Sequence, residues 1–424
     1  MTLAASADSK TWFGQPIGLT VLFLTEMWEK FSFFGMRALL VYYMTKQLLF
    51  AQDRASLVYG FYTAFVYFTP IVGGIISDRW LGRRRSVIIG ASVMALGHFM
   101  MMFEPLFYGA LACIALGNGL FLPSLPSQIG ALYQPDDPRR VRSYNIYYVG
   151  VNLGAFLAPL VCGTLGELYG WHYGFGAAGI GMLAGLSIYI LGRRHLPADP
   201  ARATAISQQS VESGGNRRLF ALLAAIGCAV VVFRAAYEQI GNTVALWADT
   251  GVDRAVGAGF VIPMTWFQSL NPLLVFALTP PLLAWWSTRA LRGRESLPLV
   301  KMAFGAAGVA ASYLLLAMVS HFSGTGVQAH WLWLAAFFFL LTAAELFILP
   351  VGLGLFARLA PAGMAATTIA AWFLAAFAGN LCAGALGTLW SQLSPTLFFA
   401  LMAAVAGLSA LLLAAIASNT RQTA

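Results

Sequence analysis

Residues 16–45 read PIGLTVLFLTEMWEKFSFFGMRALLVYYMT, a long apolar stretch with four charged residues set inside it. About 20 consecutive apolar residues are enough for a helix to cross the hydrocarbon core of a bilayer. A charged side chain at that depth costs about 3 kcal/mol or more unless it is paired or hydrated. The stretch therefore predicts a membrane-spanning helix whose charged residues, Glu26, Glu29, Lys30 and Arg37, face away from lipid.

The rest of the chain repeats this pattern of apolar stretches divided by short polar turns. Of its 424 residues, 59% are hydrophobic and 10% are charged, whereas about a quarter of a soluble domain is charged. The composition therefore excludes a soluble globular protein. The predicted spans are 16–45, 55–77, 86–103, 107–133, 142–168, 173–192, 218–248, 258–287, 298–320, 330–357, 363–390 and 395–417.

The net charge of +9 follows the predicted topology and does not indicate a nucleic-acid partner. With the N-terminus inside, the inner loops carry 19 of the 25 Lys and Arg residues, and the outer loops carry Lys46, Arg54 and Arg254. This bias is typical of the positive-inside rule. No Asn-x-Ser/Thr sequon occurs, which favours a bacterial membrane. We expect a multi-pass protein of a bacterial inner membrane, surrounded by the lipid bilayer, with both termini in the cytoplasm.

The longest polar stretch, from Arg193 to Arg218, divides the predicted spans into six and six. The loop after span 2 reads DRWLGRRR from Asp78, the loop after span 8 reads RALRGR from Arg289, and both occupy the same place in their half. Two related halves of six helices are typical of major facilitator transporters. We therefore predict an all-α membrane protein with 12 transmembrane helices. Its parts are an N-terminal six-helix bundle (1–194), a cytoplasmic linker (195–217) and a C-terminal six-helix bundle (218–424).

Charged residues within the spans are the strongest functional signal. Besides the four of span 1, they are Arg234 and Glu238 in span 7 and Glu345 in span 10. At about 100° per residue, the four charges of span 1 fall within an arc of roughly 100° on one helix face. One interpretation is a set of ion pairs that only fasten helices together. The pattern favours another, a polar central cavity whose carboxylates bind and release protons.

At these residues the chain resembles the proton-dependent oligopeptide transporter family of the major facilitator superfamily. Residues 26–37 are similar to the family motif E-x-x-E-R-F-x-Y-Y-G-M-R, and the resemblance runs from about residue 20 to about residue 390. Six further matches follow in the family's order, at residues 73–84, 147–155, 237–239, 266–272, 345–353 and 372–374.

The resemblance implies roles for individual residues. It places Glu26, Glu29, Lys30 and Glu238 in proton coupling, with Arg37 binding the substrate carboxylate and alternating in a salt bridge with Glu238. The substrate's amino end and backbone would contact Asn152, Asn271 and Glu345, and the pocket would be shaped by Tyr67 and Trp372. The proton is the coupling ion, and no cofactor or metal is implied.

Three departures from the family pattern concern the same cavity. The family's span 4 lysine is Leu122, the tryptophan before the span 7 motif is Arg234, and the paired tyrosines of span 1 are Phe33 and Phe34. Arg234 has Glu238 one turn away, and we expect Arg37 to compete for that carboxylate. The spare positive charge would then bind an anionic substrate group in place of the lost lysine. In the alternative, Arg234 points aside and extends toward the membrane interface.

The leading hypothesis is proton-coupled symport of di- and tripeptides or peptide-like small molecules by alternating access, with the protein acting as a monomer. The alternative keeps the fold and the proton coupling but carries or exports a non-peptide metabolite or drug. The departures favour this alternative, whereas the retained asparagines and Glu345 favour peptides. A membrane enzyme is not expected, because no metal set, nucleophile triad or phosphate loop occurs. A non-transporting sensor would gain nothing from buried carboxylates.

Overall fold

The structure, a computed structural model, describes residues 11–12, 14–134, 137–199, 217–257, 259–324, 327–361 and 364–422, and it is almost entirely helical. The α-helices are α1 (Ile17–Lys46), α2 (Gln52–Ile76), α3 (Arg83–Met100), α4 (Phe107–Ser124), α5 (Arg139–Ala158), α6 (Thr164–Leu168), α7 (Trp171–Gly192), α8 (Arg217–Tyr237), α9 (Thr243–Thr250), α10 (Trp266–Leu291), α11 (Pro298–Ser323), α12 (Trp331–Glu345), α13 (Leu349–Arg358), α14 (Ala365–Gly387) and α15 (Pro395–Gln422). Short π- or 3₁₀-helical turns extend or join several of them, including Ser77–Leu81, Pro159–Gly163 and Glu238–Gly241.

The strands in the described part of the chain are two residues long each and form three small ribbons. β1 (Thr11–Trp12) pairs antiparallel with β2 (Gln15–Pro16), and β4 (Ala255–Val256) pairs antiparallel with β5 (Phe260–Val261). β3 (Val252–Asp253) pairs parallel with β6 (Ala329–His330). These ribbons lie outside the long helices, so the predicted all-α class is confirmed.

Ten of the described helical segments are long and apolar enough to cross a membrane. They are Gln52–Leu81, Glu104–Leu132, Arg142–Leu168, Trp171–His195, Arg217–Thr250, Trp266–Leu291, Pro298–Ser323, Trp331–Arg358, Thr367–Ser391 and Pro395–Thr420. At most 50% of the most apolar part of each segment is buried within the protein, so an apolar surface remains for lipid. α1 and α3 are less apolar because α1 contains four buried charges and α3 begins with three arginines.

The contacts within the chain define two compact units. Unit 1 comprises Met1–Met36 and Thr69–Arg202, and unit 2 comprises Arg37–Phe68 and Ala203–Ala424. Unit 2 thus includes the C-terminal part of α1 and the first part of α2. Most of the predicted linker, 195–217, lies outside the described residues, and the predicted division into bundles at this linker stays a prediction.

Glycines bring the helices of unit 1 close around α1. A Cβ atom at Gly150 would lie 3.0 Å from the Phe23 carbonyl oxygen, and one at Gly154 would lie 2.9 Å from the Phe31 nitrogen. A Cβ atom at Gly185 would lie 3.2 Å from the Thr25 carbonyl oxygen. Small residues at such spacing allow helix backbones to approach. These glycines therefore place the charged part of α1 against α5 and α7.

The two related loops turn on a glycine in the left-handed region. Gly82 has φ of 79°, and Gly293 has φ of 65°. This backbone conformation is costly for residues with a Cβ atom. In the first loop, the Arg84 guanidinium donates to the carbonyl oxygens of Leu196 and, at 3.3 Å, Arg193. Both copies of the predicted repeat thus contain a glycine with positive φ.

The predicted start of span 8 at residue 258 is wrong, because α10 begins at Trp266 and ends at Leu291. The preceding apolar residues pair as the β4–β5 ribbon, which turns at Gly257 and Gly259, both with positive φ. Pro263 follows the ribbon. Sequence hydropathy cannot distinguish an apolar ribbon from the first turns of a helix.

Candidate functional site

Glu26, Glu29 and Lys30 of α1 form a buried group in unit 1, which we call the acid cluster. The Nζ atom of Lys30 lies 2.7 Å from Oε2 of Glu29 and 3.3 Å from Oε1 of Glu26. The Glu29 side chain is fully buried, and those of Glu26 and Lys30 are 2% and 12% exposed. Two carboxyl groups share one ammonium group, so the acid cluster has one more acid than base.

The remaining carboxylate oxygens of the acid cluster are poorly satisfied. Oε2 of Glu26 and Oε1 of Glu29 are buried and have no hydrogen-bond partner among the described residues. The Tyr147 hydroxyl of α5 is also buried and lies close enough to Glu26 to interact with it electrostatically. A surplus carboxyl group in such surroundings is suited to binding and releasing a proton. Sequence reasoning missed Tyr147.

Arg37, Arg234 and Glu238 form a second buried group, in unit 2, which we call the arginine-bridged site. Nη2 of Arg37 lies 2.7 Å from Oε2 of Glu238, and Nη1 of Arg234 lies 2.6 Å from Oε1. The side chains of Glu238, Arg234 and Arg37 are 2%, 8% and 14% exposed. Both predicted pairings are confirmed. The two guanidiniums bind different oxygens of the one carboxylate, and the predicted competition between them stays a prediction. The alternative with Arg234 extended to the interface is wrong.

The position of Glu238 is set by a break between α8 and α9. α8 ends at Tyr237, the chain continues as the 3₁₀ turn Glu238–Gly241, and Asn242 adopts φ of −116° and ψ of −95° before α9 begins. A Cβ atom at Gly241 would collide with the Tyr59 hydroxyl. The break therefore brings Glu238 to the arginines while leaving room for a tyrosine of α2.

Two tyrosines of α2 support the arginines. Nε of Arg37 donates to the Tyr59 hydroxyl at 2.8 Å, and Nη1 of Arg234 lies 3.2 Å from the Tyr67 hydroxyl. The Arg234 guanidinium also lies over the Tyr67 ring, 4.9 Å from its centroid, which is within cation–π range. Sequence reasoning named Tyr67 and missed Tyr59. The feature of the sequence that could have identified Tyr59 is the polar stripe of Tyr59, Thr63 and Tyr67, at four-residue spacing on an apolar helix.

Glu345 lies at the C-terminal end of α12 within a hydrogen-bonded group of unit 2. Its Oε2 accepts from the Tyr237 hydroxyl at 2.8 Å and from Nδ2 of Asn271 at 2.6 Å. Nδ2 of Asn271 also donates to Oγ1 of Thr342 at 3.1 Å. Tyr237 and Glu238 are adjacent in the chain, so the hydrogen bond from Tyr237 links Glu345 to the backbone that carries Glu238. The structure thus brings Asn271 and Glu345 together as expected, and it adds Tyr237 and Thr342, which sequence reasoning missed.

The other predicted site residues lie outside these groups. Asn152 belongs to unit 1, and its Nδ2 donates to the Tyr148 carbonyl oxygen of its own helix at 2.9 Å. Trp372 is 5% exposed and packs edge-to-face on Phe356 with ring centroids 5.2 Å apart. Its observed contacts are those of a core residue.

A clamp in unit 2 holds the first turns of α2 against α9 and α14. Oγ of Ser56 donates to Oδ1 of Asn242 at 2.9 Å, and Nε2 of Gln52 donates to the Gly387 carbonyl oxygen at 2.9 Å. One turn further along α2, Gly60 lies against Gly384 so closely that neither position has room for a Cβ atom. We call these contacts the α2 clamp.

The described residues contain no group of three or more His, Cys, Asp or Glu side chains placed to hold a metal ion. The four cysteines, Cys113, Cys162, Cys228 and Cys382, are not paired as disulfides. The expected absence of a cofactor stays a prediction.

Comparison with known proteins gives a consistent result. The sequence pattern described as "PTR2: POT family" matches residues 84–213 and 204–402. A di-/tripeptide transporter of Lactococcus lactis subsp. cremoris is 33% identical, over 86% of this chain and 88% of the relative. The peptide transporter YePEPT of Yersinia enterocolitica is 30% identical, over 91% and 90%. A crystal structure of a peptide transporter POT in complex with sulfate superposes with a TM-score of 0.89 at 30% identity, covering 98% of this chain and 97% of that one.

Proposed function

The chain belongs to the POT family of transporters, and from this membership we propose that it is a proton-coupled symporter of di- and tripeptides or peptide-like small molecules. The observation that carries the proposal is the arginine-bridged site, in which one buried carboxylate holds two guanidiniums. Arginine is suited to binding a carboxylate. When the carboxylate is protonated it loses its negative charge, and the arginine is released. At this site a substrate carboxylate can therefore take the place of the Glu238 carboxylate as the partner of the arginines.

Proton and substrate act on the arginine-bridged site together in this proposal. Protonation of Glu238 removes the negative charge between Arg37 and Arg234. Leaving a buried charge without its partner costs about 3–5 kcal/mol. A substrate carboxylate replaces the lost charge, so proton binding and substrate binding favour each other, as symport requires.

The other groups have the roles that the family resemblance implies. The acid cluster supplies a second proton-binding group, with Lys30 as its counter-charge. Glu345 and Asn271 bind the substrate's amino end, since a carboxylate accepts hydrogen bonds from an ammonium group. Asn152 contacts the substrate backbone, and Tyr67 and Trp372 shape the pocket. Arg234 adds a cation where the family has tryptophan and offsets the lysine replaced by Leu122.

The topology that we propose has twelve spans, with bundles 1–194 and 218–424 joined by the cytoplasmic linker. The ten apolar segments and the charged helices α1 and α3 together make up these spans. The distribution of Lys and Arg supports an inner-membrane protein with both termini in the cytoplasm. Gln208, in the linker, lies outside the described residues and gives a test. A cysteine at that position should resist membrane-impermeant thiol reagents applied from the periplasm, and labelling from that side would refute the topology.

We propose further that the protein catalyses no covalent reaction, needs no cofactor besides the transported proton, and works as a monomer. Membership of a transporter family supports the first statement. The cycle described above uses protons and ion pairs alone, and all of its groups come from one chain.

A second candidate function is transport or export of a non-peptide metabolite or drug on the same fold. The observations that favour it are the extra cation Arg234, the missing lysine at Leu122, and Phe33 and Phe34, which carry no hydroxyl groups. Thermal-shift screening of the purified protein against peptides and other small metabolites separates the candidates. Stabilisation by non-peptide compounds alone would favour the second.

Uptake into proteoliposomes tests the leading proposal. With an imposed inward proton gradient, the protein should accumulate labelled dipeptide above equilibrium, and a protonophore should abolish the accumulation. Peptide accumulation that is insensitive to the protonophore would refute proton coupling.

A further inference from the structure

A pocket of about 150 Å³ lies in unit 2 where α10 ends and α11 begins. Its wall includes Trp285, Trp286, Arg289, Lys301, Phe304 and Phe347. The loop between the two helices is the second copy of the repeated basic loop, to which the transport mechanism gives no role. The pocket thus combines aromatic rings and cations at one end of two membrane-length helices.

The cations of the pocket are only partly neutralised. The Lys301 Nζ atom lies 4.5 Å from the Trp286 ring centroid, and the Arg289 guanidinium carbon lies 5.2 Å from the Trp285 centroid. Glu295, which also lines the pocket, lies 3.4 Å from Lys301, but its side chain is 65% exposed. Because the Glu295 carboxylate is largely exposed, this pair is worth less than about 1 kcal/mol and neutralises at most one of the two cations. The pocket therefore presents a net positive charge.

A hydrogen-bond donor in the pocket wall lacks an acceptor. The indole nitrogen of Trp286 is buried and has no hydrogen-bond partner among the described residues. A buried donor without an acceptor costs free energy, so such groups are normally satisfied by protein, water or ligand. Two cations and a free N–H fit an oxyanion such as a phosphate group.

The apolar residues of the pocket indicate that the phosphate belongs to a lipid headgroup and not to a soluble anion. Phe304 is 66% exposed and Trp285 is 47% exposed, and both belong to helices of membrane-spanning length and composition. Phe347 packs edge-on against Trp286 and Phe304, with centroids 5.3 Å away in each case. Tryptophan and Lys or Arg at helix ends are typical of the headgroup region of a bilayer. A soluble anion would make no use of the exposed rings.

We propose that this pocket binds the phosphate of an anionic glycerophospholipid through Arg289, Lys301 and the Trp286 N–H, with an acyl chain along Phe304. The binding proposal does not depend on the transported substrate. Phe347 lies in the turn between α12 and α13, two residues after Glu345. A lipid in the pocket therefore contacts the helix break that carries a proposed substrate-binding residue, and it should change the transport rate.

Native mass spectrometry of the detergent-purified protein tests the proposal. Phosphatidylglycerol and phosphatidylethanolamine with the same acyl chains serve as the anionic and zwitterionic probes. We expect the parent protein to retain one phosphatidylglycerol preferentially, and the double variant Arg289→Gln/Lys301→Gln to bind it at least tenfold more weakly. Trp286→Phe should weaken binding less. Glu295→Gln should strengthen binding because it removes the competing carboxylate.

Two controls keep the test decisive. Arg358→Gln removes an exposed arginine at the end of α13, outside the pocket lining, and should leave retention unchanged. The charge-preserving double variant Arg289→Lys/Lys301→Arg should bind phosphatidylglycerol, which shows that charge and not folding is measured. Equal retention by the neutralised double variant and its parent would overturn the proposal. Displacement of the lipid by low millimolar inorganic phosphate would also overturn it, in favour of a soluble anion.

Discussion

The acid cluster and the arginine-bridged site are both buried ionic groups, but their charge balances are opposite. The acid cluster has two carboxyl groups for one ammonium group, whereas the arginine-bridged site has two guanidiniums for one carboxylate. The first has a surplus acid to bind a proton, and the second has a surplus cation to bind an anion. Under the proposed mechanism, the acid cluster binds protons alone, whereas proton and substrate both act on the arginine-bridged site.

The two groups also differ in what they connect. All three members of the acid cluster belong to α1, so a proton can enter or leave without breaking a contact between helices. The arginine-bridged site joins Arg37 of α1 to Arg234 of α8 and to Glu238 of the adjoining 3₁₀ turn. A change of charge at Glu238 therefore changes a contact between helices. Under the proposed mechanism, protonation of Glu238 therefore acts on the contact between helices, whereas protonation of the acid cluster acts within α1.

The largest effect is expected for Glu238→Gln, which removes the partner of both arginines at once. Breaking a buried ion pair in this way costs about 3–5 kcal/mol. We expect the variant to lose gradient-driven accumulation and to unfold at a clearly lower temperature, measured by proteoliposome uptake and thermal denaturation. Parent-like accumulation would show that Glu238 has no part in coupling.

Glu29→Gln should also abolish accumulation, but for a local reason. The change removes the surplus acid of the acid cluster and leaves Lys30 paired with Glu26. Counterflow, which needs no net proton movement, should survive, and thermal stability should fall by less than in Glu238→Gln because Lys30 keeps its contact with Glu26. If Glu29→Gln and Glu238→Gln behave alike in counterflow and stability, the contrast between the two groups is wrong.

Arg234→Trp restores the family residue and removes the surplus cation. We expect affinity for carboxylate-bearing ligands to fall at least tenfold, or about 1.4 kcal/mol, in a competition-binding assay. Adding Leu122→Lys should recover part of the loss, because it restores the family's cation. A single variant that binds every ligand as the parent does would make Arg234 purely structural.

The smallest effect is expected for Tyr59→Phe, which removes one hydroxyl from Arg37 and keeps the ring. A single hydrogen bond to a charged group contributes about 1.5–3 kcal/mol at most, and its loss is partly offset by the intact ion pair. We expect substrate affinity to fall by about three- to tenfold while the pH dependence of uptake stays unchanged. Thr63→Val, on the same face of α2, is the matched control and should bind substrate normally. A shifted pH profile in Tyr59→Phe would place this tyrosine in proton coupling.

Charge placement was the part of the site that the sequence predicted well. The positions of Glu238 and Arg234, one turn apart in an apolar stretch, favoured an ion pair, and the structure contains it. The simultaneous binding of both arginines was not predictable, since it depends on how the carboxylate oxygens are oriented by the 3₁₀ turn. Tyr59 was missed because a tyrosine in a membrane helix is compatible with lipid, core or site.

Helix positions were predictable where hydropathy changes sharply and uncertain where an apolar segment is not helical. The first span, 16–45, differs by one residue at each end from α1. The start of α10 was misplaced by eight residues, because the β4–β5 ribbon is as apolar as the helix that follows it.

The contact between Gly60 and Gly384 in the α2 clamp has a practical consequence for structural work. A Cβ atom at Gly384 would lie 2.9 Å from the Gly60 Cα atom and 3.1 Å from the Ser56 carbonyl oxygen, so one added methyl group cannot fit without moving a backbone. Gly384→Ala should therefore enrich whichever conformation separates α2 from α14. The Gly384→Ala protein can serve as the antigen for raising antibody fragments that recognise this conformation. The fragments would then hold the parent chain in the same conformation for imaging.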